Sequence, residues 1–205
     1  ANHVVIQEDV IRDGDSIIMR DTLGHGPNIR PAGVDFGADF ALPAPRVISA
    51  SDLALLAAMN CSAVTVTKRP SVALIATGDE LVMPGGTPRP DQIIASNVFA
   101  LKAMIETAGG SARLLPIAPD DRDLLAQTFE MAMDADVVVT IGGASVGDHD
   151  LVADVAKQAG ITFDFHKIAM RPGKPLMLGH ADATPFLGLP GNPVSAIVCG
   201  HLFLL

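Results

Sequence analysis

From residue 70 onward, short apolar runs alternate with polar loops and with segments of helical spacing. SVALIAT (71–77) is a continuous apolar run between turn residues, the pattern of a strand covered on both faces. SARLLPI (111–117), DVVVTI (136–141) and TFDFHKI (162–168) predict further strands, and PLML and TPFLG two shorter ones. In SNVFALKAMIETAGG, Val98, Leu101, Ile105 and Ala108 share one helical face, Ser96 stands at the N-cap and Gly109 suits a left-handed stop. Asp120 and Asp121 open a helix over DRDLLAQTFEMAM, with acids at the positive end of its dipole. DLVADVAKQAG predicts a helix ending at Gly160, and Asn192–Pro193 reads as the N-cap and first position of a last helix. Met104, Met131, Met133 and Met170 read as core filling. At least two strand–helix–strand units predict an α/β fold: a three-layer α/β/α domain on a mainly parallel, mixed sheet.

Residues 1–67 lack a steady period. VVI (4–6), SIIM (16–19) and AVTVT (63–67) look like short strands, and Ser51 is placed to cap a helix over SDLALLAAMN. NIRPAGVDFGADFALPAPR is loop or edge structure because of its Gly and Pro. KRP (68–70) then marks a boundary. The expected organisation is a partial, β-rich N-terminal segment over 1–67 and an α/β domain over 68–205, together a piece of a longer polypeptide.

Composition narrows the function classes. The chain is 49% hydrophobic and 18% charged, so a sizeable core is available. A net charge of -9 argues against a nucleic-acid surface, which needs clustered Lys and Arg. Cys61 and Cys199 are far apart and lack metal spacing, which fits free thiols in a reducing cytoplasm. No apolar run is long enough to cross a bilayer; PVSAIVCGHLFLL is broken by Gly200 and His201.

Ligands in open α/β sheets bind beyond the carboxyl ends of the strands, and the residues just after the predicted strands are unusual. Thr77, Gly78, Asp79 and Glu80 follow the first; the two adjacent carboxylates could hold a metal or act as a general base, or simply cap a turn. GGASVGDHD (142–150) follows the third. Gly142, Gly143 and Gly147 beside Ser145 could cradle an anion, or form a tight strand-to-helix turn. Asp148 and Asp150 could bind Mg²⁺, while Asp150 could instead cap the next helix; His149 between them would point to solvent. Lys167, Arg171 and Lys174 are the densest basic cluster; held by Pro-Gly-Lys-Pro they could meet an oxyanion, or form an ordinary exposed turn. Pro190, Gly191, Asn192, Pro193 and Ser195 start a helix whose positive end would face the same edge. No Ser-His-Asp order, zinc spacing, Walker A sequence or G-x-G-x-x-G is present.

Taken in order, TGDEL (77–81), SN (96–97), GGASVGDHD (142–150), PGKP (172–175) and GLPGNPVSA (188–196) resemble the MoeA family of molybdopterin molybdenumtransferases, relatives of the gephyrin E domain. NIRPAGVDF resembles that family's segment before its pterin-binding domain, and VVIQED the end of its lid-like domain. The resemblance implies a MoaB/MogA-like molybdopterin-binding fold and a Mg²⁺-dependent insertion of molybdate into adenylylated molybdopterin, with release of AMP. It implies that Glu80, Asp120 and Asp150 are functional acids, that Lys174 and Arg171 bind the oxyanion, and that Pro190 and Pro193 shape the pocket. Arg171 stands where many relatives carry lysine, which keeps the charge but widens the donor fork. The resemblance further implies a cytoplasmic homodimer and a hand-over of substrate from a molybdopterin adenylyltransferase. Family members carry a further C-terminal β domain and more N-terminal sequence than this chain. Alternatives are an adenylyltransferase-type enzyme, which usually shows a GGTG-type loop, and a non-catalytic gephyrin-like scaffold.

Overall fold

Local pairing and capping explain which of these segments become regular structure. The computed structural model describes residues 2–21, 26–143 and 150–205. The chain divides into two units, Ala1–Val64 and Thr65–Leu205. In the first, a short 3₁₀ turn (Gln7–Asp9) leads into an antiparallel hairpin of β1 (Val10–Asp13) and β2 (Ser16–Met19). Residues 4–6 are not a strand; pairing begins only at Val10, where β2 supplies a partner. Helix α1 (Ala50–Ala58) is capped by Ser49 rather than Ser51. Ser49 forms a reciprocal capping box with Asp52, which satisfies two orphan N–H groups at once. Asp52 is also paired with Arg46 at 3.0 Å. Residues 63–67 likewise form no strand, and Val66 is 66% exposed. Alternation alone does not make a strand when no neighbour takes up the backbone hydrogen bonds.

The second unit contains β3 (Ser71–Ala76), β4 (Leu81–Val82), β5 (Ile93–Ile94), α2 (Asn97–Thr107), β6 (Ser111–Leu114), α3 (Arg122–Ala132) and β7 (Val137–Ile141). These are followed by α4 (Leu151–Gln158), β8 (Thr162–His166), β9 (Met177–Ala181), β10 (Thr184–Leu189) and α5 (Pro193–Phe203). The main sheet has the order β6-β3-β7-β10-β9-β8. Strand β3 is parallel to β6 and β7, and β10 is parallel to β7. Strand β9 is antiparallel to both β10 and β8, so β8 points the same way as the parallel set. The carboxyl ends of β3, β6, β7, β8 and β10 therefore lie on one rim. The small ribbon of β4 and β5 lies just after β3 in the chain.

Both faces of the sheet are covered, which is why its central strands are apolar throughout. On one face Leu125 and Phe129 of α3 and Val152 and Val155 of α4 pack on Ile75, Val138 and Phe186. Phe186 is the centre of an aromatic trio, with ring centroids 5.9 Å from Phe129 and 5.7 Å from Phe163. On the other face Leu101 and Ile105 of α2 and Ala196 and Cys199 of α5 pack on Leu74, Val139 and Leu187. Each large side chain so buried contributes about 1.5–3 kcal/mol. Met104, Met133 and Met170 pack against these cores, but Met131 is 50% exposed, because it falls on the outer side of α3. Among the described residues no helix is long and apolar enough to cross a membrane.

At the opposite rim, Asp136 closes the sheet. Its carboxylate accepts the Ser71 N–H at 2.7 Å, the Ser71 hydroxyl at 2.8 Å and Lys68 Nζ at 3.0 Å. These bonds, the Ser71 N–H first, hold its pKa down to about 2. Because the folded value is depressed, this stabilisation is full above the ordinary carboxylate pKa and is lost as pH falls through about 2. Two stability measurements follow. Asp136→Asn should melt at a lower temperature than the parent at pH 7, and the gap should close as the pH approaches 2; equal melting at pH 7 would contradict this role. Phe129→Ala should lower unfolding free energy in urea by about 3–5 kcal/mol, and a loss below about 1 kcal/mol would mean the trio is not a packing centre.

Candidate active site

Hydrogen bonds between strand ends fix the floor of the rim. Thr77 N–H donates to Ile141 O at 3.0 Å, and Gly142 N–H donates to Leu189 O at 3.1 Å, so the turns after β3, β7 and β10 are stitched side by side. Gly142 has φ +98°, and a Cβ there would stand 2.6 Å from Thr77 O. A Cβ on Gly143 would stand 2.2 Å from a Val152 methyl. The glycine pair is thus required by close backbone packing. The Gly142 N–H is taken up by Leu189 O, as a tight strand-to-helix turn requires. Ser145, Gly147, Asp148 and His149 lie outside the described residues.

The turn after β3 divides its polar groups. Thr77 is 1% exposed, and its backbone forms an isolated bridge with Ala118. Gly78 donates its N–H to Ala118 O at 3.0 Å, and the Glu80 carboxylate folds over it, filling the space a side chain would take. Asp79 Oδ1 accepts the Asp120 N–H at 3.0 Å, joining the turns after β3 and β6. Asp121, not Asp120, caps α3, accepting from Asp123 N and Leu124 N.

Two cavities share this rim. The first, of about 370 Å³, has an apolar wall of Leu81, Ile93, Ile94 and Val98 and a polar side of Thr77, Glu80, Ser96, Asn97 and Asn192. Gly142, Gly191 and Pro193 also border it, whereas Asp79 and Asp120 are absent from its lining. The second, of about 690 Å³, is bounded by Met170, Arg171, Pro172, Gly173, Lys174 and Pro175 on one side and by Asn192, Val194 and Ser195 on the other. Asn192 borders both. Its side chain caps α5, accepting from Ser195 N at 3.2 Å and lying 3.4 Å from the Ser195 hydroxyl. Pro193 occupies the first turn, and Pro190 is buried behind it.

The basic loop is rigidly seated. Lys167 N–H donates to Leu176 O, and Ile168 N–H to Lys174 O, both at 2.9 Å. Gly173 packs so closely on α5 that a Cβ would lie 2.6 Å from Cys199 Sγ. Burial pushes the Cys199 thiol pKa up, so this cysteine acts as packing. Arg171 and Lys174 are exposed on the cavity side of the loop. Negative charge thus sits in one cavity, at Glu80, and positive charge in the other.

Asp150 caps α4 through Oδ1, which accepts Ala153 N–H at 3.0 Å. It is 7% exposed, and its Oδ2 has no hydrogen bond among the described residues. Among those residues no group of three His, Cys, Asp or Glu is arranged to hold a metal. Two residues at this rim were not singled out from sequence. Asn97 Nδ2 donates to Gly191 O at 2.7 Å, tying α2 to the turn after β10. Its signal was the SN pair at 96–97, to which no role was attached. His166 ends β8, with Nε2 3.5 Å from Asp150 Oδ2.

A family model described as a probable molybdopterin binding domain matches residues 73–205. The chain belongs to that family. A protein of Nostoc sp. named molybdopterin molybdenumtransferase is 36% identical over 200 residues, covering 95% of this chain and 46% of the relative. A Staphylococcus aureus protein of the same name is 34% identical over 206 residues, covering 100% of this chain and 49% of the relative. The chain spans about half the length of the curated relatives it matches. Among solved structures, a molybdopterin biosynthesis MoeA protein from Pyrococcus horikosii aligns with TM-score 0.71 at 32% identity, covering 100% of this chain and 51% of that one. CinA from Thermoplasma acidophilum shares the fold alone, at TM-score 0.52 and 16% identity. The expected MoeA-like resemblance and the α/β/α sheet fold both stand.

The close approach at Gly142 has a measurable consequence. Gly109 has a similar φ of +96° but open space around it. Gly142→Ala should therefore destabilise the protein more than Gly109→Ala, whose cost is backbone strain of about 1–3 kcal/mol. Equal losses in urea unfolding would mean that the packing between turns is loose.

Proposed function

We propose that this chain forms the substrate-binding part of a molybdopterin molybdenumtransferase, which joins molybdate to adenylylated molybdopterin and releases AMP. The names of the Nostoc and Staphylococcus relatives support the reaction class. The observation that carries the reading is the pair of cavities of opposite charge meeting at Asn192. The substrate joins a flat heterocycle to a phosphoanhydride. An apolar wall with a polar edge suits the first, and a Lys/Arg loop facing a helix N-terminus suits the second.

In this reading Arg171 and Lys174 hold oxyanions, and the seated loop presents both at low entropic cost. The α5 N-terminus, with Ser195 in its first turn, adds a partial positive charge to the same cavity. Glu80 and Asn97 orient the heterocycle. Gly142, Gly191 and Pro193 keep the floor close to the ligand. Asp79 and Asp120 act indirectly, by holding the β3 and β6 turns together. Asp150 fits a divalent cation, since its buried Oδ2 is a carboxylate oxygen that accepts no hydrogen bond among the described residues and lies 3.5 Å from His166 Nε2. Mg²⁺ bound there would draw charge from the anhydride oxygens. Asp148, by sequence, is a second acid for that role. We further propose a cytoplasmic homodimer that receives its substrate from an adenylyltransferase.

The test is molybdate-dependent AMP release by the full-length protein. Asp150→Asn keeps a capping side chain, so it isolates the charge. It should slow release by roughly 10²–10³-fold, as should Lys174→Ala. Wild-type rates in both variants would remove these roles.

A further inference from the structure

Asn97 is the first residue of α2, yet its side chain does not serve that helix. Ser96, at the N-cap, makes no side-chain capping bond among the described residues, and Asn97 Nδ2 donates instead to Gly191 O at 2.7 Å. Gly191 immediately precedes Asn192, the N-cap of α5. One hydrogen bond thus joins the starts of two helices, between residues 94 apart in the chain. The turn it reaches is held on two other sides. A Cβ on Gly191 would stand 3.3 Å from Gly142 Cα, so the turn rests on the floor of the rim. Asn192 Oδ1 accepts the Ser195 N–H at 3.2 Å, which ties the turn to α5 itself.

Two close contacts grip α5 towards its other end. A Cβ on Gly200 would lie 2.6 Å from Leu101 Cδ2 of α2, and a Cβ on Gly173 of the basic loop would lie 2.6 Å from Cys199 Sγ. Both lie about 10 Å along the helix from Pro193, so they leave the placement of its start to the turn that Asn97 holds. That start is the wall which the two cavities share. Gly191, Asn192 and Pro193 border the first, and Asn192, Val194 and Ser195 the second. Ser96, Asn97 and Val98, at the start of α2, border the first cavity as well. The Asn97 bond therefore fixes two borders of the first cavity to each other, and fixes the span from that cavity to Arg171 and Lys174.

We propose that Asn97 is a positioning residue: through Gly191 it holds the start of α5 so that the two cavities take the two parts of one substrate at the same time. The proposal rests on the reading of the cavities as one substrate site, and deepens it by assigning the registration between them to one side chain. A ligand that reaches both cavities gains from the second contact only when the span matches. Misplacement of reacting groups by about 1 Å costs roughly 10²-fold in rate. A ligand confined to one cavity is indifferent to the span.

The test compares Asn97→Ala and Asn97→Leu with the parent in the full-length protein. Leucine keeps the branched shape but has no N–H for Gly191 O, so the two variants should behave alike. Amide hydrogen exchange without ligand reads the bond itself. Ser195 N–H should exchange at least roughly tenfold faster in both variants, while Asp123 and Leu124 N–H, capped by Asp121, should exchange as in the parent. Calorimetry reads the registration. Molybdate alone, taken by the Arg171 and Lys174 cavity, should bind within about twofold of the parent, whereas adenylylated molybdopterin should bind at least roughly tenfold more weakly. The kcat for AMP release should fall by roughly 10–10²-fold. Parent-like exchange at Ser195 in both variants would overturn the proposal, as would faster exchange there with parent-like binding of adenylylated molybdopterin. Equal weakening of molybdate and of adenylylated molybdopterin would overturn it too, because the defect would then be a general loosening. If the parent itself releases no AMP, the molybdate-insertion reading fails, and the exchange and binding measurements still decide the role of Asn97.

Discussion

Three parallel strands end level with one another, and their last peptide groups are bonded across the ends. Thr77 to Ile141 and Gly142 to Leu189 are continuations of the sheet ladder into the turns. That continuation leaves no room for a side chain at Gly142, and it brings Gly191 within 3.3 Å of the Gly142 Cα, measured from where its own Cβ would be. Everything chemical in this unit is arranged above that floor. The antiparallel β9 matters for the same reason. By reversing direction once, it lets β8 deliver His166 and the basic loop to the rim that β3, β7 and β10 already share.

An acidic chain can bind an anion only if its few cations are concentrated, and the fold does this through packing. Gly173 is pressed onto Cys199 of α5, and the backbone of the loop is bonded to itself at Lys167, Ile168 and Leu176. Arg171 and Lys174 are therefore held opposite a helix start, separate from Glu80. Separation keeps the carboxylate from neutralising the cations, and Asn192 spans the gap with a neutral amide. Asp150 is different. Burial without a full set of hydrogen bonds is costly for a carboxylate, and among the described residues its Oδ2 accepts no hydrogen bond and has His166 Nε2 3.5 Å away.

Much of this was legible in the sequence, for physical reasons. Continuous apolar runs mark strands covered on both faces, and 71–77 and 136–141 are central strands with α-helices on either side. Asn192–Pro193 was read as a helix start and Asp150 as a metal ligand or a cap; Asn192 and Asp150 both cap their helices. Failures came where a local pattern needed a partner far away. AVTVT at 63–67 alternates but has no neighbour, and Ser49 won the α1 cap over Ser51 because Asp52 completes its box. The glycine loop read as an anion cradle or a tight turn, and that the Gly142 N–H is committed to Leu189 is something no local spacing reveals. Asn97 and His166 were missed because one acts through a contact 94 residues away and the other through a bulge that reverses alternation.

The central claim is that separate turns hold one ligand together. Backbone hydrogen exchange, measured on the full-length protein with and without adenylylated molybdopterin, tests it most directly. The account predicts slower exchange together in the segments around 77–80, 97, 171–175 and 191–196, with residues 4–19 unchanged. Protection confined to a single one of these rim segments, with the others exchanging as in the free protein, would contradict it.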